Sequence, residues 1–490
     1  MRTPTGTVDL ERRAVVKGLA SLTAASALWP RELLAGEELR RGPTALVVGA
    51  GIAGLSAAYE LRNAGFNVSI FEKEKFTGGR MVELQMGPLY QFTHAVGVFG
   101  ANREMFALAD ELGMRDQLDP STAEVPTGSI DNGHGTYPSP PISNLNLEHV
   151  AKTPGLSAET IKRLPLLQAD MDEIAQTVDP CLLETGTAYD DETLGDYYER
   201  KLGKEAASEF IRYWVHPAAI AWGWPAYQTS KVALLPWWAT KKDFLFPKGG
   251  IGVLTRKLDS VLPVQNHTTV RYITPPDSTG RHTVHYLTPE LERRSVTPDV
   301  VVCAVEGKYL DKMVQGMTPK QEAFSRQIYF TKEAIFCYIL DDKHAPKELV
   351  GGMYTETHPD PMKARTTYWF ATPAVPEFNF PPHVRFALSR RDTPNWQVSG
   401  QTIEDYCFPM AKHVYPALER KHVVDIVNYT CDDLIYIPVG YVRQMAGVLR
   451  EQAKERRGLY FAGEYVAGAH TGAACASGRS IARLIKRHWI

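Results

Sequence analysis

Gly49-Ala50-Gly51-Ile52-Ala53-Gly54 is a GxGxxG sequence, and its surroundings restrict the fold of this chain more than any other feature. By itself the pattern is weak. Here a short apolar run, Thr44 to Val48, precedes it as a buried parallel strand would. Leu55 to Ala64 follows, with Ala57, Leu61 and Ala64 at helical spacing, and Gly65 stops the helix. Val68 to Phe71 reads as the next strand. Glu72 ends it 18 residues beyond Gly54, close to the roughly 20 of a dinucleotide-binding βαβ unit. Gly49 permits the tight turn, Gly51 lets the backbone approach a pyrophosphate, and Gly54 lets the helix pack on the strand. Ile52 and Ala53 open that helix, whose N–H groups and positive dipole end suit phosphate. Glu72, with Lys73 beside it, accepts hydrogen bonds from ribose hydroxyls, and an acid there disfavours a 2′-phosphate. The competing reading is a glycine-rich turn without a ligand. The fingerprint alone does not separate FAD from NAD.

The length, 490 residues, suggests two to three domains. With 44% hydrophobic and 22% charged residues the composition is that of a globular protein, neither disordered nor fibrous. A net charge of −2 argues against a nucleic-acid binder, which carries a basic excess. The six cysteines are widely spaced and form no CxxC pair, so a disulfide framework or a zinc site is not expected.

Beyond Glu72 stands Thr77-Gly78-Gly79-Arg80-Met81. Two glycines let the backbone pass close to a cofactor, and Arg80 places a guanidinium near its pyrophosphate or ring. The other reading of Arg80 is a surface salt bridge. The chain closes with Gly458 to Phe461, then Ala462-Gly463-Glu464, then a helical stretch from Ala473 to Arg487 containing Ser477-Gly478-Arg479. These two segments, with Pro247-Lys248-Gly249-Gly250, resemble the flavin amine oxidase superfamily. The stretch Phe210 to Gly252 and the Ser-Gly-Arg ending look nearer its phytoene desaturase and protoporphyrinogen oxidase branch than the classical monoamine oxidases.

The resemblance implies an α/β protein, with an FAD-binding Rossmann-like (GR2-type) domain interleaved with a mixed α+β substrate domain. The cofactor domain is expected from 43–100, 247–310 and 428–490, and the substrate domain from 101–246 and 311–427. Glu464 then binds the ribityl chain, and Thr471 and Ala474 lie in the helix turn that faces the isoalloxazine. A positive helix end there stabilises negative charge on the reduced ring. Val270 stands where the family's backbone contacts adenine. His470 occupies the place of a tyrosine over the flavin, where it would orient substrate or shuttle a proton; a structural histidine is the other reading. A lysine after the strand Val300 to Val305 holds a water near N5 in amine oxidases. Lys312 is the candidate, with Lys308 the alternative and a solvated lysine the bland reading. The segment after the glycines departs from the family: Phe92-Thr93-His94 puts Thr93 where an acid is common. Neither Cys431 nor Cys475 matches a covalent attachment point, so noncovalent FAD and no metal are expected.

The first 36 residues resemble a twin-arginine export signal, with Arg12-Arg13, an apolar run and Ala25-Ser26-Ala27 as a cleavage site. This implies the twin-arginine export machinery as a partner and a periplasmic or cell-envelope location. A solvated N-terminal helix is the alternative. No later segment reads as a membrane span. Seven large aromatics, Tyr213, Trp214, Trp222, Trp224, Tyr227, Trp237 and Trp238, fall within 26 residues. They suit an apolar substrate tunnel, a membrane-surface contact or plain packing. Three functions follow: an FAD-dependent oxidoreductase taking a hydride from an apolar or amine small molecule, a flavin-dependent isomerase or mutase without net redox, or a redox-silent flavoprotein binding module.

Overall fold

One of the two large sheets is wholly parallel. In the computed structural model its five strands lie in the order Gly458–Phe461, Val300–Cys303, Thr44–Val48, Asn67–Phe71 and Val264–Gln265. A parallel sheet is covered on both faces, which is why its strands read as unbroken apolar runs. Val300-Val301-Val302-Cys303 is buried at every position. Alternation then sorts the side chains between two cores. Val47, Val300, Val302 and Tyr460 join Leu55 and Leu61 of the fingerprint helix and Ile481 and Ile485 of the closing helix. Leu46, Val48, Val301, Cys303 and Phe461 join the opposite core with Trp214, Leu234, Val442 and Met445. The strands come from three separated stretches of sequence, as the interleaved α/β reading requires. The structure describes residues 42–489 apart from 87–89, 94–97, 101–102, 119–126, 133–134, 139–145, 217–223, 241–242, 246, 248, 349, 357–364, 375–380, 390–401 and 455–457. The leader, His94, Trp222, Phe246 and Lys248 lie outside the described residues.

A second sheet has seven strands, in the order Val423–Ile435, Phe330–Leu340, His383–Ser389, Arg365–Thr372, Val350–Glu356, Thr127–Asp131 and Thr136–Pro138. Its strands are drawn from the two stretches expected to form the substrate domain. One boundary needs correction. The division placed at residue 428 falls inside Val423–Ile435, which pairs with Phe330–Leu340 along its length. A ladder of main-chain hydrogen bonds keeps 428–435 in the larger sheet, although nothing in the local composition marks it. A smaller antiparallel sheet, Thr269–Ile273, Val284–Leu287 and Arg293–Val296, adjoins the cofactor strands in sequence. Helices start earlier or break more often than periodicity predicts. The fingerprint helix runs Ile52–Asn63 and the closing helix Thr471–Trp489. The helical stretch from Asp196 to Trp214 divides at Gly203, where φ is +80°, and ends in a π turn, Ile211–Val215. Among the described residues no helix is long and apolar enough to cross a membrane.

The fingerprint and closing helices touch main chain to main chain. Ser56 Oγ donates to the Cys475 carbonyl at 3.1 Å. A Cβ built on Gly478 would stand 2.0 Å from the Ala53 carbonyl oxygen and 2.5 Å from Ser56 Oγ. The next residue, Arg479, 4% exposed, pairs with Glu60 at 2.8 Å, Glu104 at 3.0 Å and Glu111 at 2.5 Å. The glycine allows the approach, and Arg479, with Arg483 also on Glu60 and Glu104, offsets the carboxylates of two helices packed against its own. Gly478→Ala forces backbone apart, and overpacking of this kind costs about 3 kcal/mol. Urea denaturation should show its midpoint well below that of the parent; an unchanged midpoint would mean that the two helices are not in this contact.

Candidate functional site

The glycine fingerprint forms a cradle at the head of a helix. Gly49 has φ +100°, and a Cβ there would stand 2.8 Å from the Ala304 carbonyl oxygen. A Cβ on Gly54 would lie 2.0 Å from the Gly49 carbonyl oxygen. Gly51 is the opposite case: its Cβ direction meets nothing within 4 Å. Gly51 is also the N-cap of the fingerprint helix, no side chain caps that end, and no acid stands in its first turn. The N–H groups of Ile52, Ala53 and Gly54 belong to the first turn and have no partner within the helix, with the positive dipole end behind them. A pyrophosphate fits this chemistry. Glu72 lies beside it, 7% exposed, and accepts from the Ala50 N–H at 2.7 Å and the Glu74 N–H at 2.9 Å. The Thr268 N–H donates to the Glu72 carbonyl at 2.8 Å, which brings buried Val270, two residues on, to the same end. Lys73 is exposed, its ammonium 5.1 Å from the centre of the Tyr309 ring.

The Gly-Gly-Arg segment carries the site onward from Gly51. Gly78 donates its N–H to the Ala50 carbonyl at 2.9 Å, and a Cβ on Gly79 would stand 3.3 Å from the Gly51 Cα. Positive φ values of +122° and +60° make both positions suit glycine. Arg80 then reaches across 384 residues of sequence to Glu464, with Nη2 2.6 Å from Oε1. The Glu464 side chain is 5% exposed and that of Arg80 32%. Burial pushes the Glu464 carboxyl above its ordinary range, and the Arg80 guanidinium offsets part of the rise. Gly463 donates its N–H to Ser477 Oγ at 2.8 Å, fixing this carboxylate to the closing helix. Thr471 and Ala474 lie in that helix's first turn, and the Ala474 N–H donates to the His470 carbonyl at 3.0 Å. Glu72 and Glu464 are thus the two ends of one run of contacts through Ala50, Gly51, Gly79 and Arg80.

With this arrangement in view, a model of the family described as flavin containing amine oxidoreductase matches residues 52–486. The chain belongs to that family. Its cofactor is accordingly a flavin. The chain is 37% identical over 76 residues to protoporphyrinogen oxidase 2 of Arabidopsis thaliana, 16% of this chain and 15% of that one. It is 55% identical over 38 residues to a phytoene desaturase of Cercospora nicotianae, 8% of this chain and 6% of the other. These matched segments span well under two thirds of either relative. Among solved structures it resembles a cyclohexylamine oxidase from Brevibacterium oxydans, with a TM-score of 0.63 and 13% identity over 91% of this chain and 99% of that one. At that identity the likeness concerns the fold.

Two proposed catalytic residues have settings the sequence did not reveal. Lys312 is exposed on the short helix Leu310–Met313. Lys308, the alternative lysine, shares an aromatic neighbour with Arg80. Its ammonium lies 5.9 Å from the Phe330 ring centre, and the Arg80 guanidinium lies 5.8 Å from the same ring. Lys308 also pairs with Glu306 at 2.5 Å. The turn Gly307–Tyr309 puts Lys308 on the site side, a fact that linear spacing does not contain. His470 is 4% exposed, and both ring nitrogens contact main-chain groups. Of the aromatic stretch, Trp214, Trp224, Trp237 and Trp238 are buried and Tyr227 is 40% exposed. Packing claims those four tryptophans, so they are closed to a lipid surface.

Glu184 escaped the sequence reading because a lone glutamate in a loop gives no signal. It lies in the 3₁₀ turn Leu183–Tyr189, where the Leu183 N–H donates to the Ala467 carbonyl at 2.8 Å. Its buried Oε2 has no hydrogen-bond partner among the described residues. Burial raises its carboxyl from 4.5 to about 7.

Two predictions follow from this geometry. Gly51→Trp fills the open direction above the fingerprint helix and should abolish flavin loading; visible flavin absorbance per mole of purified protein measures it, and normal loading would refute the fingerprint assignment. For Glu184 the folded state holds a proton that the unfolded state has released between pH 4.5 and 7. Stability therefore falls as pH rises through that window, by about 3 kcal/mol for one such group. Glu184→Gln should lose correspondingly less stability between pH 5 and pH 8 in urea titrations. Parallel pH profiles for the two proteins would contradict this setting.

Proposed function

We propose that this protein is an FAD-dependent oxidoreductase that removes a hydride from an apolar or amine small molecule, by desaturation or amine oxidation. The observation that carries this reading is the single run of contacts from Glu72 to Glu464. It has the polarity of an extended dinucleotide: a carboxylate for ribose hydroxyls, an uncapped helix end for pyrophosphate, and an arginine–carboxylate pair beyond. Glu72, Gly51, Gly79, Arg80, Gly463 and Glu464 would hold FAD without a covalent bond; Cys475 is fully buried in the helix-packing core. The flavin supplies a hydride acceptor, and the protein's part is to orient a substrate C–H and exclude water. Arg80 pairs with Glu464, and Glu306, itself paired with Lys308, acts on the same carboxylate. The residues 101–246 and 311–427, with 428–435 added, would supply the substrate side.

The leader implies export of the folded protein through the twin-arginine machinery to the periplasm or cell envelope. That route suits a protein that takes up its cofactor before it crosses the membrane.

The purified chain should be yellow and release FAD on denaturation. On anaerobic mixing with a panel of primary amines and polyene or porphyrinogen substrates, one class should bleach the flavin's visible absorbance. Turnover without bleaching, and only after prior chemical reduction, would replace hydride removal by isomerisation.

A further inference from the structure

His470 sits at the junction between the closing helix and a distant loop, and its hydrogen-bonding atoms are committed to main chain. Its Nδ1 accepts from the Ala473 N–H at 3.1 Å, and its carbonyl accepts from the Ala474 N–H at 3.0 Å. Its own N–H donates to the Gly468 carbonyl at 2.9 Å. A backbone N–H can only donate, so Nδ1 is the unprotonated nitrogen and the ring proton is on Nε2. Nε2–H donates to the Pro180 carbonyl at 3.0 Å. Trp237 meets the imidazole edge-on, with ring centres 4.9 Å apart. One turn further on in the loop, the Leu183 N–H bonds the Ala467 carbonyl. The same imidazole therefore caps the first turn of the closing helix and ties that turn to a loop 290 residues earlier.

We propose that His470 is a positioning residue: it fixes the N-terminal turn of the closing helix against the Pro180–Leu183 loop and so sets the field of that helix end at the flavin. The proposal rests on the flavin reading above. Histidine is not among the favoured N-caps, Ser, Thr, Asp and Asn. Those residues would satisfy the turn, but their shorter side chains reach less far toward a second carbonyl. The pair of bonds is what the longer, two-nitrogen ring adds. A helix N-terminus carries about half a positive charge, and its effect falls off within the first turn. Small displacements of that turn therefore change how strongly it favours the reduced, negatively charged cofactor. A proton shuttle at His470 would need to break one of these bonds on each cycle.

The test uses the flavin-loaded protein and its His470→Ala and His470→Asn variants, read by flavin content, visible spectrum and midpoint potential. His470→Ala should shift the potential to lower values and alter the visible bands. His470→Asn should restore part of both, because Asn can accept from the Ala473 N–H but does not reach the Pro180 carbonyl. Loss of flavin from His470→Ala that His470→Asn restores supports the same role. If His470→Ala does not fold, His470→Leu takes its place, since Leu fills similar space without a hydrogen-bonding atom. A parental potential and spectrum in the Ala or Leu variant would overturn the proposal, as would an Asn variant no better than Ala. A parental protein that binds no flavin would overturn the cofactor reading as well, and is told apart by its lack of colour.

Discussion

The site depends on the contact between the fingerprint helix and the closing helix. The fingerprint helix starts at Gly51, within the run of residues, and the closing helix holds Gly463, beside Glu464, through Ser477. Their separation is set by main-chain contact at Gly478 and Ala53, with the Ser56–Cys475 hydrogen bond beside it. Arg479 locks the crossing by gathering Glu60, Glu104 and Glu111 around one guanidinium, 4% exposed. Removing Arg479 from this group leaves its carboxylates undercompensated, which is costly. Helix spacing is thus set by sterics on one side and charge balance on the other.

The electrostatics of the site follow from that frame. Glu464 is nearly sealed from water, and burial raises its carboxyl, yet Arg80 stands 2.6 Å away. The pair joins the Gly-Gly-Arg loop to the end of the chain, so the loop is held at both ends: at Gly78 by the Ala50 carbonyl, and at Arg80 by Glu464. Glu72 plays a similar part at the opposite end, bracing the glycine turn through the Ala50 N–H. Both carboxylates shape the backbone around the cradle as well as facing it.

The cofactor half was readable because its requirements are local. Glycine at 49, 54, 78 and 463 answers a steric or backbone demand that few other residues meet. Val300 to Cys303 reads as a strand because both faces of a parallel sheet are covered. The approach of Lys308 to the ring that Arg80 also meets was not readable, because it turns on the path of one 3₁₀ turn and the position of Phe330. The same holds for the strand Val423–Ile435, whose allegiance is decided by its partner Phe330–Leu340. Glu184 and the capping of His470 depend on the return of residues 180–184 to residues 467–470, a closure invisible along the chain.

The sequence by itself determined the family, the flavin-type cradle and the interleaved α/β plan, since glycine spacing and apolar runs encode backbone demands within short windows. Only the tertiary structure decided which cations gather near Glu464, which tryptophans are core, and what His470 does. Those outcomes depend on contacts between segments tens to hundreds of residues apart, and a linear pattern does not carry the distances between them.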